Sequence, residues 1–398
     1  TMVTNKEQNK LNVPHLRFPE FHGEWEEHGL SEYLDFKNGL NPDSKRFGKG
    51  IKFISVMDIL NNPVITYDCI RASVQATDAE MSSFSVENGD ILFQRSSETL
   101  EDVGRANVYI DDKVAVFGGF VIRGKKKANY NPLFFRYLLS SPYARKRIIP
   151  MGAGAQHFNI GQEGLSKVLL NFPSIEEQTK IASLLHLLDE RISTQSKLIE
   201  KLESLIKGIV DCTILRKEKN AIVGDVCSIS EQIRAEANID DIITVRLHGN
   251  GVCKSSAENL QLGATQYYRR RAGQLIYGKQ NFHNGAIGIV PISLDNGITS
   301  KDIPSFDIDE MKCNSVYLLA QLQSPQYYKP AEALTTGTGS KRLKEETFLQ
   351  LPIVLPNKRE QDNIAVLIHR ASMNLDHAKR LLELLSIQKQ FLLRQMFI

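Results

Sequence analysis

Two polar loops stand at matched places in the two halves of this sequence. One is Gln94-Arg95-Ser96-Ser97-Glu98 and the other is Gly278-Lys279-Gln280-Asn281-Phe282-His283-Asn284. Arg, Lys, Gln and Asn side chains can make paired hydrogen bonds to the base edges that duplex DNA exposes in its major groove. Each half then carries a glycine-flanked loop. These are Gly152-Ala153-Gly154-Ala155-Gln156-His157-Phe158-Asn159 and Gly337-Thr338-Gly339-Ser340-Lys341-Arg342, with Gln156 and Lys341 at comparable places. Glycines let backbone N–H groups approach a phosphate closely. Basic residues cluster at Lys125-Lys126-Lys127, Arg145-Lys146-Arg147 and Arg269-Arg270-Arg271, although the net charge is only +3. Local clusters are the ones that matter for phosphate contact. The candidate contacts are therefore Gln94, Arg95, Arg105, Lys125, Lys126, Lys127, Gln156, His157, Arg269, Arg270, Lys279, Gln280, His283, Lys341 and Arg342. Taken singly, a polar glycine loop is usually a turn and a charge run is usually a solvated face. The weight lies in recurrence at matched places with different chemistry.

Several chemistries are excluded by what is missing. Gly339-Ser340-Lys341 lacks the earlier glycine of a phosphate-binding loop. There is no Pro-Pro dipeptide, so the Asn/Asp-Pro-Pro-aromatic signature of amino-methyltransferases is absent. No glycine-rich strand-to-helix turn suits a nucleotide or S-adenosylmethionine. Pro42-Asp43-Ser44-Lys45 reads as a plain turn rather than a nuclease pair. The nine histidines never fall at metal-ligand spacing, and the five cysteines are odd in number with no C-x-x-C pair. Reduced, mostly buried thiols, no metal and no cofactor are expected. No apolar run approaches bilayer length and residues 1–11 are polar, so a cytoplasmic chain is expected.

The elements that must position these loops are themselves duplicated. Pro173, Glu177-Gln178 and Ile181-Ala182 recur as Pro356, Glu360-Gln361 and Ile364-Ala365, an offset of 183 residues. Leu139-Ser140-Ser141-Pro142 recurs as Leu322-Gln323-Ser324-Pro325, and Gly89-Asp90-Ile91-Leu92 as Gly273-Gln274-Leu275-Ile276. Each repeat ends in a long helix. Ser174 with Glu177, and Asn357 with Glu360, have capping-box spacing. From Ile181 the apolar residues Leu185, Leu188, Ile192, Ile199, Leu202, Ile206 and Ile209 follow at steps of four and three, interrupted by Gln195. The second seam runs Ile364, Ile368, Ala371, Leu375, Ala378, Leu382, Leu385, Lys389 and Leu392. Such a heptad seam predicts that the two helices pair as an antiparallel coiled coil with pseudo-two-fold symmetry. Beside it runs a second stripe, Leu184, Leu198 and Leu205, copied by Leu367 and Leu381. A stripe that wide implies contact with partner helices or with the chain's own domains. An unbroken helix over residues 175–215 would measure roughly 60 Å. The globular parts read as mixed α/β. Strands are expected at residues 53–56, 90–93, 114–117, 242–245, 274–277 and 286–290, and helices at residues 132–139 and 316–319.

With these features in hand, the sequence resembles the specificity (S) subunits of type I restriction–modification systems. The opening Val13-Pro14-His15-Leu16-Arg17-Phe18-Pro19-Glu20-Phe21-His22-Gly23-Glu24-Trp25 and the two Pro-x-x-x-Glu-Gln-x-x-Ile-Ala helix starts carry the likeness. The resemblance implies an α+β chain with two tandem target-recognition domains, residues 1–172 and 217–355. Each is followed by a spacer helix, residues 173–216 and 356–398. It also implies a non-catalytic reader of a split double-stranded DNA site, docked through its helices to methyltransferase subunits and through the complex to a restriction and translocase subunit. The interface candidates are Ile181, Leu184, Leu185, Leu188, Ile192, Ile199, Leu202, Ile364, Leu367, Ile368, Leu375, Leu382 and Leu385. Recognition domains vary within this family, so base contacts do not transfer residue by residue. A coiled-coil adaptor that never touches DNA, and a stand-alone methylase or nuclease with degenerate motifs, are the rival readings.

Overall fold

A computed structural model describes residues 12–154, 156–255, 265–337 and 341–398. The readings placed above on residues 1–11, Ala155 and Thr338-Gly339-Ser340 lie outside the described residues. The chain divides into two compact units, Thr1–Gln195 with Leu381–Ile398, and Ser196–Arg380.

The first unit is built around the strand Ile91–Gln94. It lies inside a four-stranded antiparallel sheet ordered Leu34–Asn38, Val121–Lys126, Ile91–Gln94, Ala106–Val108. Successive side chains of a strand point to opposite faces. Ile91 and Phe93 accordingly join one core with Trp25, Phe134, Phe135 and Leu138, while Leu92 joins another with Ile54, Val86 and Phe117. The helix Pro132–Ser140 covers the first face. It starts at Asn131, whose side chain accepts from Phe134 N at 3.0 Å, with Pro132 in the first turn. The strand expected at residues 53–56 ends at Ile54, because Asp58 accepts Ser55 N at 2.7 Å and starts a short helix, Val56–Asn61.

The second unit repeats the plan. Its sheet runs Cys227–Ile229, Ser305–Ile308, Leu275–Tyr277, Ile287–Ile289, the same strand order in a divergent sequence. Leu275 and Tyr277 face one core and Ile276 the other. Asn314 caps Ser315–Leu322 through Val316 N and Tyr317 N. Burial pushes the Cys227 and Cys313 thiols up to about 12, whereas Cys212 is exposed, so the expected burial of thiols holds only in part. No helix among the described residues is long and apolar enough to cross a membrane.

The long helices span Ile175–Val210, continued by one π turn at Asp211–Leu215, and Lys358–Gln395. Each runs through both units. Ile181, Leu185, Leu188 and Ile199 are buried, as are Ile364, Ile368, Ala371, Ala378, Leu385 and Leu392. Ile192, Leu202, Leu375 and Leu382 are half-buried. In the second unit Glu203 meets Lys379 at 2.8 Å and Glu360 meets Lys217, so the two helices run in opposite directions. In the first, the polar seam residue Lys389 meets Asp189 at 2.5 Å, and that carboxylate also accepts from Arg136 at 3.1 Å and Tyr137 Oη at 2.9 Å.

The helix starts correct one expectation. Ser174 Oγ and Asn357 Oδ1 accept from Glu177 N and Glu360 N at 3.3 and 3.0 Å. The glutamates do not reach back to the cap. Glu177, almost fully buried, accepts a two-pronged pair from Arg17 at 2.8 and 2.7 Å, and Glu360 takes Lys217. A sequence spacing cannot distinguish a local cap from a distant cation. The neighbouring glutamines are clamps: Gln178 Oε1 accepts Asn131 N at 3.1 Å and Gln361 Oε1 accepts Asn314 N at 2.9 Å. Each repeat thus ties its helix start to its domain helix. Arg17→Ala leaves the buried Glu177 carboxylate without its cation and should cost about 3–5 kcal/mol. Denaturant unfolding followed by fluorescence of Trp25, the single tryptophan and buried in the same unit, measures this; an unshifted midpoint would contradict it.

Candidate nucleic-acid interface

In the first unit the chain leaving Ile91–Gln94 is knitted to two other loops. Arg95 N donates to Phe120 O at 2.9 Å, and Arg95 O accepts from Ile160 N at 2.9 Å. Ser96–Ser97 pairs with Phe158–Asn159, and Ala153 pairs with Asn159. Arg95, Gln156 and His157 therefore share one ribbon, with Gln156 and His157 exposed. The Arg95 guanidinium donates to Gly119 O at 3.2 Å and has no carboxylate partner among the described residues.

Gln94 is not on that surface. It is buried, its Nε2 donates to Ser96 O at 2.9 Å, and it shapes the loop rather than facing solvent. Arg105 is exposed and paired with Asp102 at 2.6 Å. Lys125, Lys126 and Lys127 lie toward the far end of Val121–Lys126, about 13 Å or more along the strand from Val121. There Lys125 pairs with Glu87 at 3.1 Å and Lys127 with Asp35 at 3.2 Å, while Lys126 donates to Tyr130 O. The structure does not bring this cluster to the ribbon.

The second unit repeats three of these backbone contacts. Lys279 N donates to Asp302 O at 2.9 Å, Lys279 O accepts from Leu343 N at 2.9 Å, and Thr336 pairs with Arg342. These match the bonds of Arg95 with Phe120 and Ile160, and of Ala153 with Asn159, at offsets of 182 to 184 residues. Arg342 thus takes the place of Asn159 and Lys341 that of Phe158, so Lys341 is not the counterpart of Gln156. The side chains on this frame form ion pairs: Lys279–Glu345 at 2.7 Å, Arg342–Asp302 at 3.1 Å and Lys341–Glu332 at 3.0 Å. The hydrogen bond from Lys341 holds the Glu332 carboxyl below its ordinary range. Gln280 and Arg269 are exposed. His283 is half-buried, with Nε2 3.2 Å from Asn284 Nδ2.

Arg270 is a correction. Its side chain is fully buried, donating to Thr299 Oγ1 at 2.8 Å, Ser305 Oγ at 3.0 Å and Ile303 O at 3.0 Å. Burial pulls its guanidinium down to about 10. Consecutive arginines leaving a strand cannot all face solvent, and that period was the available signal. Phe120 was missed. It follows Gly118-Gly119 and is 69% exposed. A Cβ on Gly119 would lie 1.8 Å from Asn41 Oδ1, and one on Gly118 2.6 Å from the Phe53 ring. A glycine pair at a turn before a strand, followed by an aromatic residue, was the sign of a close-packed tip.

The Arg342–Asp302 pair makes a prediction about charge. Asp302→Asn leaves Arg342 free to meet a phosphate. Affinity for random-sequence duplex should rise at low salt, and the slope of log affinity against log salt should steepen by about 0.9. A salt series by fluorescence anisotropy reads both; an unchanged slope would mean that Arg342 does not face DNA.

On the long helices Leu184, Leu198, Leu205, Leu367 and Leu381 are all exposed, so the second stripe is not covered by the chain's own domains. In the first unit Leu184, Leu188, Leu381, Leu385 and Leu392 line a groove of about 560 Å³.

Two units of like strand order, each delivering different side chains from a matched frame, define a duplicated scaffold. Residues 22–204 match the family described as Type I restriction modification DNA specificity domain. The type I restriction enzyme MjaX specificity subunit of Methanocaldococcus jannaschii is 24% identical over 210 residues, 52% of this chain and 48% of that protein. The match spans about half of that relative's length. The crystal structure of the type I restriction-modification system S subunit from M. genitalium superposes with a TM-score of 0.65 at 13% identity, covering 97% of this chain and 99% of that one. Residues 22–204 are thus similar to a type I restriction modification DNA specificity domain, and the chain has the fold of that S subunit.

Proposed function

We propose that this chain is the non-catalytic DNA-reading subunit of its complex, with each unit reading one half of a split site on double-stranded DNA. The observation that carries the reading is the hydrogen-bonded frame repeated at offsets of 182 to 184 residues. It presents Arg95, Gln156 and His157 in one unit and Gln280, His283 and Arg342 in the other. A single frame with two side-chain sets suits a protein that must recognise two different half-sites. Exposed cations neutralise phosphates and set register, while the loop side chains discriminate bases in the major groove. The exposed leucine stripes take methyltransferase subunits, which supply the methyl-transfer chemistry. A restriction and translocase subunit joins through that complex, and all of it works in the cytoplasm beside the DNA.

The test is to co-express the chain with the methyltransferase subunit of the same system and map the methylated sequence. A split motif with unlike halves, and binding that weakens steeply with salt, is the expected result. Assembly without DNA binding would favour a coiled-coil adaptor, and methylation or cleavage by this chain alone would overturn the non-catalytic reading.

A further inference from the structure

Phe120 is the most exposed large apolar side chain described in the first unit. It is not a loose one. Its carbonyl accepts Arg95 N at 2.9 Å, the preceding carbonyl accepts the Arg95 guanidinium, and Gly118 and Gly119 are packed too closely for any side chain. A backbone held this way loses little freedom on binding, so the contact area of its side chain converts efficiently into affinity. Phe120, Phe47 and Met57 line a recess of about 450 Å³, and all three are exposed. Lys45 and Lys49 flank Phe47, and neither has a carboxylate partner among the described residues. The nearest acid in sequence, Asp43, is engaged with Lys45 N at 2.9 Å. An apolar recess with Arg95 bonded to the Phe120 turn, and with Lys45 and Lys49 two residues either side of Phe47, complements a surface that is anionic outside and carries methyl groups within. Duplex DNA has that pattern in its major groove, where only thymine presents a methyl.

Resting on the DNA-reading function above, we propose that Phe120 is a specificity residue that contacts the methyl group of a thymine in the half-site bound by the first unit. The second unit holds the contrast. Its carbonyl at the matched frame position belongs to Asp302, whose carboxylate is engaged by Arg342. The methyl reader therefore serves one half-site only.

The experiment uses the assembled complex of this chain with its methyltransferase subunits. Once the methylated motif is known, each thymine on either strand is replaced singly by deoxyuridine, which removes only the methyl, and binding is measured. One thymine, in one half, should weaken binding about four-fold when replaced, the worth of one buried methyl-sized group. Phe120→Ala should weaken the unmodified duplex to a similar degree and abolish the deoxyuridine effect. Phe120→Leu should retain most of both, and the unfolding midpoint of each variant should match the parent. A flat deoxyuridine scan in the parent complex, or a scan unaltered by Phe120→Ala in a folded protein, overturns the assignment. So does Phe120→Ala binding as the parent does, which would leave this patch to a protein or lipid partner. Failure of the DNA-reading function itself looks different: the parent complex would then show no preferred motif at all.

Discussion

Replacing Leu184 and Leu367 together by aspartate should abolish assembly with methyltransferase subunits while leaving the chain folded. Both side chains are exposed, 37% and 52%, and neither contributes to a buried core. Surface changes of this kind usually alter stability by less than about 0.5 kcal/mol. In a partner interface the same positions would be buried anchors. Losing one buried leucine forfeits roughly 1.5–3 kcal/mol of apolar burial, and a charge stranded there adds its desolvation cost. Each docking event should therefore weaken by about a hundred-fold or more. The two leucines are 183 residues apart, in matched helices, so each single variant should lose one partner and keep the other. Native mass spectrometry separates the three outcomes. Full assembly of the double variant would remove the helices from the docking role.

This duplication was the most legible part of the sequence. Pro173 and Pro356, with the Glu-Gln pairs behind them, fix where each helix begins, and the steps of four and three predict which residues are buried. Ile181, Leu185, Leu385 and Leu392 are where periodicity puts them. What the glutamates and glutamines do was not legible, because Arg17 reaches Glu177 across 160 residues and Asn131 reaches Gln178 across 47. The proposed reading surface was harder still. Arg95 and Gln156 were visible as polar loop residues, but their shared ribbon depends on pairing between Ser96–Ser97 and Phe158–Asn159. Arg270 and Gln94 carry the same chemistry in the sequence as exposed neighbours, and only burial separates them. Phe120 fails in the opposite sense, since an aromatic residue beside a strand is expected in a core.

Lengthening both long helices by one heptad should lengthen the unread spacer of the DNA site while leaving both half-site sequences unchanged. A heptad preserves the seam, since seven residues return a side chain to nearly the same face of the coil. The insertions belong at the matched points after Gln195 and Ala378, inside both helices and outside both sheets. Seven residues add about 10 Å of helix, which corresponds to at most about three base pairs of duplex. Gln178 and Gln361 tie each domain helix to its long helix well before the insertion points, so the local bonds within each unit stay in place. Insertion of three or four residues should behave differently. It rotates the seam, exposes part of the apolar face on one side and lowers the unfolding midpoint instead of resetting the spacer. Mapping the methylated motif of each variant distinguishes these cases. A motif with an unaltered spacer after the heptad insertion would mean that something other than the helices sets the distance between half-sites, leaving the seam a purely structural feature.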